Sequence, residues 1–326
     1  MKNVYFIVTL VLLVSFLLMP LLAVEQQKAP STAETSSAAP NEQSQLEGVD
    51  SFSVYLSGED KTVALSREEY LLGVLAAEMS PDYHAEALKA QALAAYTFAY
   101  RKHLQNTSGT YDLTTDSSLD QGYLNAQQRT EKWGEKAEEY EKKLKEAIAA
   151  VAGQLIVYDG QPILAAYHAI SPGNTETAEN VWGTAYPYLQ CENSAVDLLA
   201  PGYLSEVKLS TEDFVKGLSA LECTVSGEAT AYIGESQKSE AGTVLNITLC
   251  GKEVTGAQVR KAFSLRSAAF ELSYAEGTFT FTVSGYGHGV GMSQFGANYM
   301  AQQGAGYREI LAAYYRGASV VQLKTK

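Results

Sequence analysis

In the stretch SREEYLLGVLAAEM, Ser66 to Met79, every residue from Tyr70 onward is apolar or glycine except Glu78. Leu71, Val74, Leu75 and Glu78 follow i, i+3, i+4, i+7 spacing, so the carboxylate falls where an apolar helix face should continue. A helix that is apolar all round is buried, and a lone buried carboxylate is costly unless it is paired or protonated. Apolar neighbours disfavour its charged form, as does the negative end of the helix dipole, and both raise its pKa. A carboxyl group kept protonated near neutral pH can serve as a general acid. The alternative is a frayed helix end, with Glu78 reaching solvent or pairing with Arg101 or Lys89.

A second candidate is SGYGHGVGMSQFGA, in which Gly285, Gly287, Gly289 and Gly291 alternate between a strand and a helix. The spacing fails G-x-G-x-x-G, and no P-loop Lys-Ser/Thr follows. Alternating glycines let a backbone approach a ligand closely and adopt positive φ. From this loop Tyr286, His288, Ser293 and Gln294 could bind a polyhydroxyl substrate; a tight structural turn with a satisfied histidine is the other reading. AYHAISPGNTETAENVW has the composition of a binding loop, or simply of a loop, and adds His168, Ser171 and Asn174 as candidate substrate contacts. His84, His103, His168 and His288 are far apart, none in HExxH or near a cysteine pair, so neither metal nor cofactor is expected.

These residues need a scaffold, and 326 residues suffice for one large domain or two ordinary ones. With 46% hydrophobic and 19% charged residues, most of the chain should be globular. Lys plus Arg number 24 against 37 Asp plus Glu, a net charge of −13, which argues against nucleic acid because phosphate contacts need clustered cations. Cys191, Cys223 and Cys250 form no CxxC pair and allow at most one disulfide, so a stapled fold is excluded.

Residues 1–24 read as an uncleaved membrane anchor, because Val4 to Val24 is almost wholly apolar behind Lys2. A cleaved signal peptide would export the remainder equally well. Residues 25–50 are rich in Gln, Ser, Thr, Ala, Glu and Pro and read as a disordered tether. In the domain that follows, 51–326, a strand leads to a helix capped by Ser66 with Glu69 at capping-box spacing, which Ser80-Pro81 stops. An alanine-rich helix comes next, then a helix over TEKWGEKAEEYEKKLKEAIAAVAG with one apolar stripe and an otherwise solvated, charged surface. Asp159-Gly160 marks a hairpin, TVLNITLCGKEV and GTFTFTVSG read as strands, and two short helices close the chain. The expected class is α+β: one mixed domain of buried helices and antiparallel hairpins around a cleft.

Six blocks occur in order: EEYLLGVLAAEM, EALKAQALAAYTFAY, DQGYLN, AYHAISPGNTETAENVWG with PYL, TGAQVRKAFSLRS and GYGHGVGMSQFGA. Over roughly Phe52 to Leu323 they resemble the stage II sporulation protein D family, which carries the SpoIID/LytB domain. The resemblance implies a membrane-anchored peptidoglycan lytic transglycosylase acting in forespore engulfment, with the glycan strand as substrate. It implies Glu78 as the catalytic acid/base, stage II sporulation proteins P and M as partners, and a place in the mother-cell side of the septal membrane. A non-catalytic amidase enhancer of the same family, or a structural scaffold, are the alternatives. Two departures stand out. The block that often reads AARTY reads AAYTF here, so a cation is missing at Tyr96. The His and Cys that bind zinc in some members are absent around TTDSSLDQGYLN.

Overall fold

The computed structural model describes residues 43–107 and 109–324, so the expected anchor over 1–24 lies outside the described residues. Among the described residues no helix is long and apolar enough to cross a membrane. The tether expected over 25–50 is partly taken up by structure: strand β1 (Gln43–Glu47) pairs in parallel with the last strand of the chain.

Strands β2 (Ser51–Leu56) and β3 (Lys61–Ser66) form an antiparallel hairpin that delivers helix α1 (Arg67–Glu78). Ser66 caps α1, its Oγ accepting from the Glu69 amide at 3.2 Å. The expected capping box is only half made, because the Glu69 carboxylate turns instead to Arg129, 3.0 Å away. Tyr70 to Ala76 are all buried, as an all-round apolar helix requires. The stop comes just before the expected Ser80-Pro81: Met79 is already extended, with φ −130° and ψ 145°, leaving Glu78 as the last helical residue.

Helix α2 (Ala85–Gln105) packs against α1, with Ala87, Ala90, Ala92, Ala94, Ala95 and Ala99 wholly buried. Small side chains there let the two backbones approach. Strand β4 (Leu113–Thr114) adds to β2 in parallel. The single helix expected over 130–153 is broken into α3 (Ala126–Trp133) and α4 (Ala137–Ala150). The cause is Gly134, whose φ of 55° no right-handed helix accommodates. The break lets Trp133 meet Tyr140 edge to face at 5.7 Å, while Leu144, Ala147 and Ile148 keep the predicted stripe buried.

Strands β5 (Gln154–Tyr158) and β6 (Gln161–Pro162) turn at Asp159 and Gly160, at φ 49° and 70°. Both residues are left-handed, the requirement of a tight two-residue hairpin. Strand β7 (Tyr167–His168) and helix α5 (Ala178–Trp182) follow.

The chain then makes an excursion with its own core. Its elements are β8 (Leu204–Ser210), α6 (Thr211–Ala220), β9 (Ile233–Lys238), β10 (Val244–Leu249), β11 (Lys252–Thr255), α7 (Gly256–Ala262), β12 (Phe270–Ala275) and β13 (Thr278–Ser284). They form two three-stranded antiparallel sheets, ordered β11-β10-β9 and β12-β13-β8. Phe214 stacks on Phe279 with ring centroids 3.8 Å apart, and Phe263, Phe270 and Phe281 surround them. The buried apolar side chains thus fall into two clusters, a finer division than the single core expected. The two ends of the excursion meet where the Gly285 amide donates to the Tyr203 carbonyl at 2.8 Å. Strand β14 (Met292–Ser293), α8 (Gln294–Gln302), α9 (Tyr307–Tyr314) and β15 (Ser319–Lys324) return the chain to the first core, in a sheet ordered β1-β15-β5-β6.

Candidate active site

Glu78 ends α1 facing the loop that contains Gln121 and Gly122. The Gly122 amide donates to Glu78 Oε1 at 2.6 Å. Next to it, buried Gln121 accepts from the Tyr70 hydroxyl at 3.1 Å and donates through Nε2 to the Tyr167 hydroxyl at 2.7 Å. Burial pushes the Glu78 carboxyl above its usual range, with the Gly122 hydrogen bond pulling the other way. Burial also holds the Tyr70 and Tyr167 phenols well above 10, and the charge on Glu78 adds to this in both. The cations that could have neutralised Glu78 are engaged elsewhere. Arg101 donates to the Pro162 carbonyl at 2.8 Å and lies over the Tyr186 ring, and Lys89 pairs with Glu86 at 2.6 Å. Among the described residues Glu78 forms no ion pair. It is a half-buried carboxyl group whose pKa burial raises and which has one backbone donor to orient it.

The glycine-rich loop runs against the segment after β7. Gly285, Gly287, Gly289 and Gly291 have φ of 75°, 116°, 81° and 72°. A side chain at Gly291 would stand 2.1 Å from the Ala166 carbonyl oxygen, and one at Gly285 2.7 Å from that of Ile170. The close approach expected of a ligand is therefore, at these two positions, an approach of the protein's own backbone. Ile170 and Tyr286 exchange both backbone hydrogen bonds, at 3.0 and 2.7 Å, and β14 pairs in parallel with β7, placing Met292 opposite Tyr167. Tyr167 consequently touches both halves of the candidate site: its backbone lies against the loop and its phenol reaches the Gln121 amide beside Glu78.

The candidate substrate residues separate by exposure. His168 is buried, with Nδ1 3.1 Å from the Val290 carbonyl and Nε2 without a partner. Burial pushes its pKa down to about 4, against the attraction of Asp197. His288 accepts the Val290 amide on Nδ1 at 3.0 Å, and burial, then His168 and Arg260, push its pKa down to about 3. Both imidazoles are therefore neutral near pH 7. Ser171 and Ser293 are wholly buried, their hydroxyls accepting from the Gly173 and Gly296 amides. Gln294 is also buried, donating to Gln91 at 3.4 Å. Asn174 is half-buried beside Asn193, and Tyr286 is 48% exposed under the Arg266 guanidinium. Of the seven, then, Asn174, Tyr286 and His288 have surface to offer a ligand.

A cavity of about 350 Å³ opens between His288, the segment from Ile170 to Val181 and the second core. Glu78 is not among the residues that line it. Sequence reasoning also passed over Tyr70, Gln121, Gly122, Tyr167 and Trp182, whose indole lies 5.1 Å from the His288 ring and is 43% exposed. Gln121 and Gly122 lie in the DQGYLN block, which carried the resemblance without an assigned role. At Tyr96, where a cation was expected to be missing, Arg67 stands over the ring at 5.6 Å and the hydroxyl accepts the Val49 amide.

Comparison with known proteins bears on this arrangement. A family profile described as Stage II sporulation protein matches residues 55–158, the span that holds Glu78, Gln121 and Gly122. A stage II sporulation protein D of Bacillus amyloliquefaciens is 36% identical over 82% of this chain and 77% of its own length. The chain belongs to the stage II sporulation protein D family. The Bacillus subtilis protein of the same name is 34% identical over 91% of this chain and 84% of its own length. A more distant relative, an amidase enhancer of Bacillus subtilis, is 26% identical over 77% of this chain and 40% of its own length. Among the described residues no cluster of His, Cys, Asp and Glu side chains suits a metal ion.

Proposed function

We propose that this stage II sporulation protein D family member acts in sporulation as a peptidoglycan lytic transglycosylase, with Glu78 as its single acid and base. The observation that carries the reading is the setting of Glu78: burial raises its pKa, no cation among the described residues pairs with it, and the Gly122 amide aims it. Protonated Glu78 donates to the oxygen linking N-acetylmuramic acid to N-acetylglucosamine, and the bond from that oxygen to muramoyl C1 breaks. The carboxylate so formed takes the proton of the muramoyl C6 hydroxyl, whose oxygen bonds to C1 and leaves a 1,6-anhydro end. The nucleophile belongs to the substrate, so the second carboxylate of ordinary glycosidases is not needed.

In this reading residues 1–24 hold the protein in the cell membrane with the catalytic domain outside, at the engulfment septum, where stage II sporulation proteins P and M are its proposed partners. Mass spectrometry of digested peptidoglycan tests the activity: the wild-type chain yields anhydro-muropeptides and Glu78→Gln does not. Equal anhydro product from both would refute the role of Glu78. The similarity to an amidase enhancer favours a second reading, glycan binding without cleavage. In that case neither protein yields anhydro product and both stimulate an added amidase.

A further inference from the structure

The cavity beside His288 holds a charge that the reaction above does not use. Arg260, on α7, lines it from the second core; His288, Glu179 and Asn180 line it from the first. The Arg260 Nε donates to the Leu265 carbonyl at 3.3 Å, and no carboxylate lies within ion-pair distance of its guanidinium among the described residues. Guanidinium keeps its proton in proteins, and a partly buried cation without a counter-ion, as Arg260 is, gains from a ligand that supplies one. Its planar fork matches a carboxylate with two parallel hydrogen bonds. Burial lowers the Arg260 pKa from its ordinary value, and the guanidinium stays charged. The cavity, about 350 Å³, is on the scale of a small-ligand site.

The neighbouring groups complete the recognition chemistry. Asn180 donates to Glu176 at 2.8 Å through its amide nitrogen, which leaves its carbonyl oxygen for a hydroxyl or amide of a ligand. The Trp182 indole that follows on α5 packs at 5.1 Å against His288, giving an aromatic surface next to the cavity. Glu179 is the one acidic side chain on the wall; it is exposed and makes no ion pair with Arg260. It therefore sits where it opposes an incoming anion without cancelling the cation.

Resting on the glycan reading above, we infer that this cavity between the two cores is a carboxylate-binding subsite in which Arg260 grips a carboxylate carried by the glycan strand. In a peptidoglycan strand that group has two sources. One is the lactyl carboxylate of muramic acid once its peptide is gone; the other is the terminal carboxylate of an attached peptide. Strands of N-acetylglucosamine alone have neither, so the subsite distinguishes cell-wall glycan from chitin-like glycan by one ion pair.

Calorimetric binding to the chain carrying Glu78→Gln tests this without turnover. The probes are peptide-free strands alternating N-acetylglucosamine and N-acetylmuramic acid, peptide-bearing strands, and chitooligosaccharides of equal length. The expected result is a preference of roughly tenfold for a muramic-acid strand over the chitooligosaccharide, about 1.4 kcal/mol. Adding Arg260→Gln removes that preference and leaves chitooligosaccharide affinity unchanged; Arg260→Lys retains part of it, and Glu179→Gln enlarges it. Preference for the peptide-free strand assigns the lactyl carboxylate, and preference confined to the peptide-bearing strand assigns the peptide terminus. Equal affinity for all three glycans, or a preference that survives Arg260→Gln, overturns the subsite while glycan binding stands. Failure to bind any of them overturns the glycan reading and the subsite together.

Discussion

The Gly122 amide meets Glu78 Oε1 at 2.6 Å, across 44 residues of sequence, and leaves little room for a side chain beside the contact. A methyl group on Gly122 would stand 3.0 Å from that oxygen and 3.3 Å from the Ala77 Cβ. Gly122 is not in the left-handed region, so Gly122→Ala strains contacts and not the backbone. The carboxyl group, at the end of a flexible side chain, is what gives way. We expect Gly122→Ala to keep its fold, within about 1 kcal/mol, and to lower anhydro-muropeptide formation by less than the roughly hundredfold that a misplacement of about 1 Å costs, since the carboxyl need give only slightly. Unchanged turnover with an unchanged melting temperature would show that the Gly122 contact does not orient the acid.

The raised pKa of Glu78 also makes a prediction about stability. A carboxyl whose folded pKa lies above its unfolded value, here 4.5, binds its proton more tightly in the native state. Its contribution is fully present below the unfolded pKa and is lost as pH rises through the folded one. Glu78→Gln, which has no charge to bury, should therefore be more stable than wild type at pH 8, with the difference shrinking toward pH 4. Urea unfolding of both proteins at the two pH values measures this. A difference that widened toward pH 4 would contradict the direction assigned to Glu78.

Glu78 was legible because a helix without a polar face gives its one carboxylate no bland position to occupy. What the carboxylate faces was not legible, since Gln121 and Gly122 belong to an irregular loop that no periodicity ties to α1. The Asp159-Gly160 hairpin followed from its dipeptide, and Cys250-Gly251 and Glu276-Gly277 adopt the same left-handed pair with less recognisable residues. The break at Gly134 was hidden because the apolar stripe continues on both sides of it. Alternation in β13 marked which side chains are buried, while in β10 a register shift buries both Val244 and Ile247; neither pattern could say that these strands share a core separate from that of α1. The loop glycines announced positive φ and close approach; that Ala166 and Ile170 are what approaches Gly291 and Gly285 is a tertiary fact.

The histidine pair should contribute to the loss of stability in acid. Burial pushes His168 down to about 4 and His288 down to about 3, from an ordinary value of 6.5. A depressed pKa contributes stability that is present above the unfolded value and lost as pH falls through the folded one. Between pH 6.5 and about 4 the unfolded chain takes up protons that the folded chain refuses, so stability should fall steadily across that window. Replacing both histidines with asparagine should flatten the slope there, read from unfolding free energies at half-unit pH steps. An equally steep decline in the double variant would place the acid sensitivity elsewhere.

Arg129 joins three segments around the helix that carries Glu78. It is 2% exposed, donates to Glu69 on α1 at 3.0 Å, to Glu141 on α4 at 2.9 Å, and to the Leu124 carbonyl at 3.0 Å. Breaking a buried ion pair by removing one partner typically costs 3–5 kcal/mol, and the two carboxylates here keep part of their hydration. Arg129→Leu should therefore destabilise the protein by about 2–3 kcal/mol, less than full burial of both partners would give. Because Leu124 continues the loop that contains Gly122, the loss should also loosen the segment that holds the Glu78 carboxyl. Hydrogen exchange should then rise at Gly122 and Leu124, whose amides bond to Glu78 and to the Gly73 carbonyl, more than across the interior of α2. Uniform acceleration over all three would mean that Arg129 supports the fold at large and has no particular hold on the site.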